Sequence, residues 1–460
     1  MSGKGTRKKT RQRQRQTLSP IKEELHTIKE ETSAQVRSEK SKSKSKSPST
    51  KFRKSGKKIL KFMSKHRNKI RLRFLNTICS DSNVCIAFGK EIKVIREFFK
   101  DFSFELFSEP PVVVGSSTNG TVQLLTFERD GYVTNAIFKT SNKVSSDNLA
   151  YEAIVGQFIN RQKLRFPCFL ETYGLFHNDN SRRRATKEIK DYKKIEINKE
   201  SIIGSCENSL AVGIMIENIK ESKTLKKTLM NLTSQYVNFM NFELIYILYQ
   251  IYAPLSMLSD VFTHYDLHTD NVMLYEPVKG KHIEYHYHYG ARTVTFNSGY
   301  LVKIIDYGRC FFEDEQTRYN PRDIYKDLCE AEASGKACYD CGDSDGFTWL
   351  DPTPSYHISS QTRNMSHDLR LIHVLKDLSP TYNDNIVQLI RNTFYSEQYG
   401  TPEITEQNDV RICNVNDAKR HLEKLMRMNY YQMNNDYDPA LKLGEMHIYN
   451  DGRPMVYKAL

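Results

Sequence analysis

No run of the roughly 20 apolar residues that a membrane-spanning helix requires occurs in the 460-residue chain, so a helical membrane span is not expected. The first residues also lack the apolar stretch of a signal peptide. Nine cysteines are scattered without the spacing of a disulfide framework, at Cys79, Cys85, Cys168, Cys206, Cys310, Cys329, Cys338, Cys341 and Cys413. These absences point to a soluble chain in a reducing intracellular compartment, with free thiols in place of disulfides. One Cys-x-x-Cys, at 338–341, is half of a four-ligand zinc set. Core-forming material is ample, with 39% of residues hydrophobic and 11% aromatic.

Acidic residues are scarce at one end only. Residues 1–73 hold 25 of the 68 Lys/Arg and 5 of the 55 Asp/Glu, so the net charge of +13 belongs to this segment and the remainder carries −7. From Met1 to about Ser55 there is too little apolar surface to offset the entropy of folding, and a disordered basic tail is expected. Such a tail is either solvated or attaches electrostatically to nucleic acid, an anionic membrane or an acidic partner. Ser19-Pro20 and Ser47-Pro48 are candidate phosphorylation sites within it. From Phe74 to Phe107 apolar residues appear at helical spacing (Ile92, Val94, Ile95, Phe98, Phe99), which predicts an accessory helix.

The organising stretch is Val261 to Leu274, where His264, Asp266 and Asn271 follow the order His-x-Asp-Leu-x-x-x-Asn before a short apolar strand. A second apolar strand, Tyr300 to Ile305, then runs into Asp306-Tyr307-Gly308. Taken singly these are turn residues and a core histidine. As an ordered set they resemble the catalytic loop and metal-binding turn of the protein-kinase superfamily. Phosphoryl transfer needs a carboxylate to orient the attacking hydroxyl, and oxygen ligands to hold magnesium against the phosphates of ATP. The resemblance gives Asp266 the first role and Asn271 and Asp306 the second.

The resemblance extends upstream. Val112 to Gln123 reads as strand, glycine-containing turn and strand, with Gly115, Gly120 and Val122 where kinases lay a hairpin over ATP. Two glycines five apart depart from Gly-x-Gly-x-x-Gly, and by itself the segment is equally a plain hairpin. Lys139 ends the strand Asn135 to Lys139, similar to the family's Val-Ala-Ile-Lys. The helix predicted over Leu149 to Ile159 presents Glu152, so the family pattern implies a Lys139–Glu152 ion pair. Leu210 to Ile216 reads as a buried strand leading to Glu217 and Ile219, the expected hinge whose backbone would meet adenine. Cys168 to Phe176 reads as a strand pair and Asn178 to Glu200 as an exposed loop.

Downstream, Phe242 to Ser259 is predicted as a long apolar helix delivering the chain to the catalytic loop. An insertion from Glu276 to Gly299 alternates His282, His286 and His288 with Ile283, Tyr285, Tyr287 and Tyr289, the period of a hairpin strand. Three histidines raise the question of a metal, but no matching ligand set accompanies them in sequence. No Ala-Pro-Glu motif closes the segment after Asp306. Ser366 to Ile372 resembles the start of a central helix in which Asp368 would brace the catalytic loop. Leu378 to Met428 reads as helices, and Gly444 to Tyr457 as a terminal hairpin around Asn450-Asp451-Gly452.

Two positions depart from the kinase pattern: Tyr265 stands where an arginine usually precedes the aspartate, and His268 where a lysine usually follows it. His268 is expected beside the γ-phosphate. The expected fold is α+β and two-lobed, with a tail over 1–73, a β-rich N-lobe with its accessory helix over 74–217 and a mainly helical C-lobe over 218–460. The expected function is ATP- and Mg2+-dependent serine/threonine-protein kinase. The alternatives are a small-molecule phosphotransferase of the aminoglycoside or choline type, and a non-catalytic scaffold. The loop His-Tyr-Asp-Leu-His-Thr-Asp-Asn and the Tyr-Glu-x-x-Val-Gly helix look like the kinases of large double-stranded-DNA viruses, which would place the protein in host cytoplasm, viral factory or virion.

Overall fold

Strands and helices are mixed along the chain in the computed structural model. It describes residues 110–116, 120–129, 132–142, 148–178, 189–198, 201, 204–205, 208–219, 221–231, 238–316, 323–324, 344–347, 356–378, 382–395, 411–428 and 437–459. All of them belong to one unit, Asn68–Leu460. The expected basic tail, the accessory helix over 74–107 and the Cys-x-x-Cys at 338–341 lie outside the described residues.

The first sheet has six antiparallel strands: β1 (Val112–Ser116), β2 (Gly120–Arg129), β3 (Tyr132–Ser141), β4 (Thr172–Asn178), β5 (Tyr192–Ile195) and β6 (Val212–Glu217), in the order β1-β2-β3-β6-β4-β5. Helix α1 (Asn148–Gln162) lies against β4 and β6 and buries Tyr151, Ile154, Val155, Phe158 and Ile159. Full burial of such side chains contributes about 1.5–3 kcal/mol each. The helix approaches closely because Gly156 has no Cβ; one placed there would meet Thr172 Cβ at 2.6 Å.

Two sequence expectations need correcting here. The first strand of the pair expected over Cys168 to Phe176 is irregular chain, because residues 163–168 are turns and Phe169 makes only an isolated bridge to Ile304. The loop expected over Asn178 to Glu200 contains β5, because Tyr192 inserts edge-on against Phe138 with ring centroids 5.0 Å apart.

The remaining elements are α2 (Leu225–Met230), α3 (Leu244–Met257), α4 (Arg370–Leu375), α5 (Asp384–Arg391) and α6 (Val415–Met428). Short strands link them: β7 (Lys223–Thr224), β8 (Phe262–Thr263), β9 (Val272–Tyr275), β10 (His282–Tyr289), β11 (Arg292–Ser298), β12 (Leu301–Ile304), β13 (Phe311–Phe312), β14 (Ser344–Phe347), β15 (Tyr356–Ile358), β16 (Lys442–Tyr449) and β17 (Val456–Ala459). Strand β9 pairs with β7 and β12, β8 with β13, and β14 with β15. A π-helical turn, Phe239–Glu243, leads into α3.

The inserted hairpin β10–β11 joins the terminal hairpin β16–β17 through a parallel β10–β16 pairing, giving the sheet β11-β10-β16-β17. One face of this sheet covers α3: Phe296 stacks on Tyr246 at 4.8 Å and meets Tyr249 edge-on at 5.8 Å. That explains why every residue of α3 from Leu244 to Leu255 is buried, where the sequence pattern suggests one apolar side. No helix among the described residues is long and apolar enough to cross a membrane.

Candidate active site

Strand pairing brings two loops together. The loop carrying Asp266 and Asn271 connects β8 to β9, and the loop carrying Asp306 connects β12 to β13; β9 pairs with β12 and β8 with β13, so the loops emerge side by side. The Ile305 N–H donates to Asn271 O at 3.0 Å and ties them. Both contain strained backbone: Tyr265 has φ 63° and Asp306 φ 69°, left-handed values that cost about 1–3 kcal/mol in non-glycine residues and persist where surroundings enforce them.

Asp306 faces a lysine from the first sheet. Lys139 Nζ lies 3.1 Å from Asp306 Oδ1 and 2.7 Å from Glu152 Oε2, so β3, α1 and the β12–β13 loop converge on one ammonium. Burial works against the charge on Lys139, but Asp306 and Glu152 outweigh it and hold the group above the usual lysine range. Lys139 in turn draws Asp306 below the usual carboxylate range. Burial pushes Glu152 up to about 7, with Lys139 pulling the other way. Glu152 is enclosed (3% exposed) whereas Asp306 keeps 47% of its side chain open, so the outer carboxylate is the one available to a further ligand.

Asp266 is held from three sides. Arg370 Nη1, from α4, donates to its Oδ1 at 2.9 Å; Asn271 Nδ2 donates to its main-chain oxygen at 2.9 Å and to Oδ2 at 3.3 Å. His268 Nε2 stands 3.6 Å from Oδ1. Burial raises the carboxyl, and Asp306 adds to the rise while His268 and Arg370 oppose it. The backbone beneath is clamped by Asp368, which accepts from the N–H of His264 at 2.9 Å and of Tyr265 at 3.0 Å. His264 is fully buried as the neutral Nε2–H tautomer: Nε2 faces Ile305 O at 3.1 Å and Nδ1 accepts from Asp266 N–H at 3.3 Å. Burial lowers its pKa to about 4.

The glycine-containing hairpin leads up to Lys139. Gly115 on β1 is opposite Val122 on β2, which is opposite Lys139 on β3. Gly120 opens β2 where a Cβ would lie 2.2 Å from Thr140 O, so the position requires glycine for close backbone approach. The turn residues 117–119 lie outside the described residues.

The expected hinge is more tightly built than its sequence suggests. Glu217 N–H donates to Glu171 O at 2.8 Å, and the Glu217 carboxylate accepts from Lys163 at 2.5 Å and from Glu171 N–H at 3.0 Å. Its side chain is a buried anchor, held below the usual carboxylate range by Lys163 and Lys303 despite burial. The Ile219 carbonyl accepts from Ser222 N at 3.4 Å and Oγ at 2.6 Å. Arg370 has no motif signal in the sequence; Tyr307, the middle residue of Asp306-Tyr307-Gly308, contributes through its hydroxyl, which donates to Ile304 O at 2.6 Å and accepts from Leu170 N–H at 3.0 Å.

The donor chemistry fits a hard cation. Asp306 offers carboxylate oxygens and Asn271 an amide oxygen, the ligand type that Mg2+ prefers. Fixing Asn271 Nδ2 on Asp266 turns its Oδ1 to the opposite side of the amide.

No protein-family model matches the chain. No curated protein matches it. Among solved structures, a crystal structure of a kinase domain is similar to it at a TM-score of 0.27 and 14% identity, over 47% of this chain and 55% of that one. The matched part thus spans about half of that domain, and a likeness of this strength decides nothing by itself.

Proposed function

We propose that the chain is an ATP-dependent phosphotransferase of the protein-kinase type, acting on protein serine and threonine hydroxyls. The observation that carries this is the meeting of Lys139, Glu152 and Asp306 from three distant segments, beside a loop that presents Asp266 on Arg370 and Asn271. Structural ion pairs alone do not call for a half-exposed aspartate in strained backbone next to a second, clamped aspartate. In this reading the first sheet and the mainly helical remainder are the two lobes of a kinase. The hairpin of Gly115, Gly120 and Val122 covers the phosphates, and the chain at Glu217–Ile219 takes adenine.

Lys139, positioned by Glu152, binds the α- and β-phosphates. Asn271 and Asp306 hold Mg2+, which neutralises phosphate charge when bound. Asp266 orients the acceptor hydroxyl and takes up its proton, and Arg370 keeps that carboxylate ionised. His268 faces the transferred group. The motif set points to Ser/Thr side chains as acceptors. Buried free thiols at Cys168, Cys310 and Cys413 suit a reducing intracellular location. The basic tail attaches the enzyme to nucleic acid or an acidic partner.

The test is transfer of labelled γ-phosphate from Mg-ATP to the protein itself and to generic acidic and basic protein acceptors. The expected result is label on Ser/Thr that disappears in Asp266→Asn and Asp306→Asn. Turnover with small alcohols alone, or ATP binding without transfer, would overturn it.

A further inference from the structure

The outward face of the sheet β11-β10-β16-β17 carries a second constellation, which phosphoryl transfer does not use. β10 and β16 run parallel in the register Glu284↔Glu445, His286↔His447 and His288↔Tyr449. Side chains two apart share a face, so these groups stand together while Tyr285, Tyr287, Met446 and Ile448 are buried on the other side. One donor atom each from His286, Glu445 and His447 lies within 4.8 Å of the others. The imidazoles of His286 and His447 are stacked 4.6 Å apart.

Beside this trio, Glu284 Oε1 is 2.9 Å from His286 Nε2, a buried nitrogen that makes no well-directed hydrogen bond. His447 Nε2 lies 3.3 Å from Glu445 Oε2. Lys442 Nζ sits between the two carboxylates, 2.6 Å from Glu284 Oε2 and 3.0 Å from Glu445 Oε1, and swings away when an ion takes Glu445 as a ligand.

The other ring nitrogens have partners that suit metal ligation. His286 Nδ1 is 3.2 Å from Thr295 Oγ1, His447 Nδ1 is 3.0 Å from His288 Nε2, and His288 Nδ1 is 3.0 Å from Thr293 Oγ1. With the proton on Nδ1 of all three rings, every one of these contacts is a donated hydrogen bond. Both Nε2 lone pairs then point to the carboxylates. Donation from the remote ring nitrogen is the outer-shell arrangement that orients metal-bound histidines.

We propose that His286, His447 and Glu445 form a site for a zinc-class divalent ion that ties the inserted hairpin to the C-terminal hairpin. Two imidazoles and a carboxylate without thiolate suit an ion of this class, with a fourth position left open, and oxygen-only cations lack a preference for the imidazoles.

The experiment uses chelator-stripped full-length protein and zinc alone, in wild type and in a Cys338→Ser/Cys341→Ser background that removes the competing thiol pair. Both should bind one equivalent on this sheet, with a raised unfolding midpoint. His286→Ala/His447→Ala should lose that equivalent and the shift, and Thr295→Val should weaken binding about tenfold. Cobalt should give visible d–d absorption without a thiolate charge-transfer band. Retention of the equivalent in the double-histidine variant, a thiolate band in the Cys variant, or no binding by wild type would overturn the proposal. Should the double variant misfold, the cobalt spectrum of the Cys variant and the Thr295→Val affinity decide alone.

Discussion

Arg370 Nη1 donates to Asp266 Oδ1 at 2.9 Å, from a helix 104 residues further along the chain. Only 7% of the Arg370 side chain and 18% of that of Asp266 are exposed, so water does little to screen the pair. A charge-assisted hydrogen bond of this kind contributes about 1.5–3 kcal/mol. Arg370→Met is expected to lower kcat roughly 10- to 100-fold, because each 1.36 kcal/mol is a factor of ten. In the proposed reading Arg370 acts through Asp266, which orients the acceptor, so KM for ATP should change little. The acid limb of the pH–rate profile should also move up, because Arg370 is among the groups holding the Asp266 pKa down. An unmoved limb with unchanged kcat would show that the contact is structural only.

Gly156 sets the distance between α1 and β4. Alanine normally stabilises a helix interior by about 0.5–1 kcal/mol relative to glycine. Here its Cβ would lie 2.4 Å from Thr172 Oγ1 and 2.6 Å from Thr172 Cβ, and overpacking of that kind costs about 1–3 kcal/mol. The steric term wins, so Gly156→Ala should lower the unfolding midpoint and, by displacing Glu152 one turn away, reduce phosphoryl transfer. Gly156→Ala/Thr172→Gly should recover part of both. Thermal melts of the two variants check this; a stabilised single variant contradicts it.

His264 should make the protein acid-labile. Its pKa falls from 6.5 to about 4 on burial, a depressed value, so the stability linked to its neutral form is present above pH 6.5 and lost as pH falls from there toward 4. The upper limit is on the order of 3 kcal/mol at 1.36 kcal/mol per unit. Glu152 and Asp368, both pushed up to about 7 chiefly by burial, act in the opposite sense: their contribution is lost as pH rises through 7. The readout is therefore the difference between wild type and His264→Gln, which keeps a donor for Ile305 O but does not titrate. Denaturant midpoints at pH 7.5 and pH 5 should fall further in wild type than in the variant. Equal losses would contradict the assignment.

Local motifs explain what the sequence makes readable. Asp266, Asn271 and Asp306 each sit at a fixed offset from an apolar strand, and Lys139 and Glu152 lie within elements whose apolar pattern is plain. Partners supplied by distant elements leave no such trace. Arg370 reaches Asp266 only through the packing of α4, although Asp368, two residues earlier, is visible by its motif. Glu445 and His447 meet His286 only because an insertion pairs in parallel with the C-terminal hairpin, so the histidine strand reads as structural until that pairing is known. Glu217 looks like open hinge in sequence, yet Lys163 from the turn after α1 draws its carboxylate into the interior. Strand β5 is hidden among charges because one buried residue, Tyr192, is enough to dock it.

In the proposed reading His268 occupies the place where a kinase usually carries a permanent cation, and its surroundings determine when it is one. Its Nδ1 accepts from Asp270 N–H at 3.2 Å, so the neutral ring carries its proton on Nε2, toward Asp266 Oδ1 3.6 Å away. Burial lowers the pKa from 6.5, with Asp266 opposing the shift and Arg370 adding to it. A histidine with a depressed pKa is charged only below that lowered value, so any help it gives to a transferring phosphate is strongest in acid and fades as pH rises. At neutral pH the ring is an uncharged neighbour of Asp266, not a cation. His268→Lys restores a charge that persists across the range, and its rate should stay level over the interval in which the wild-type rate falls. His268→Gln, which keeps a donor without titrating, should remove the fall and settle near the wild-type rate at high pH. Superimposable profiles for wild type and His268→Lys would mean that the ring does not reach the transferred group, and would leave it only the task of orienting Asp266.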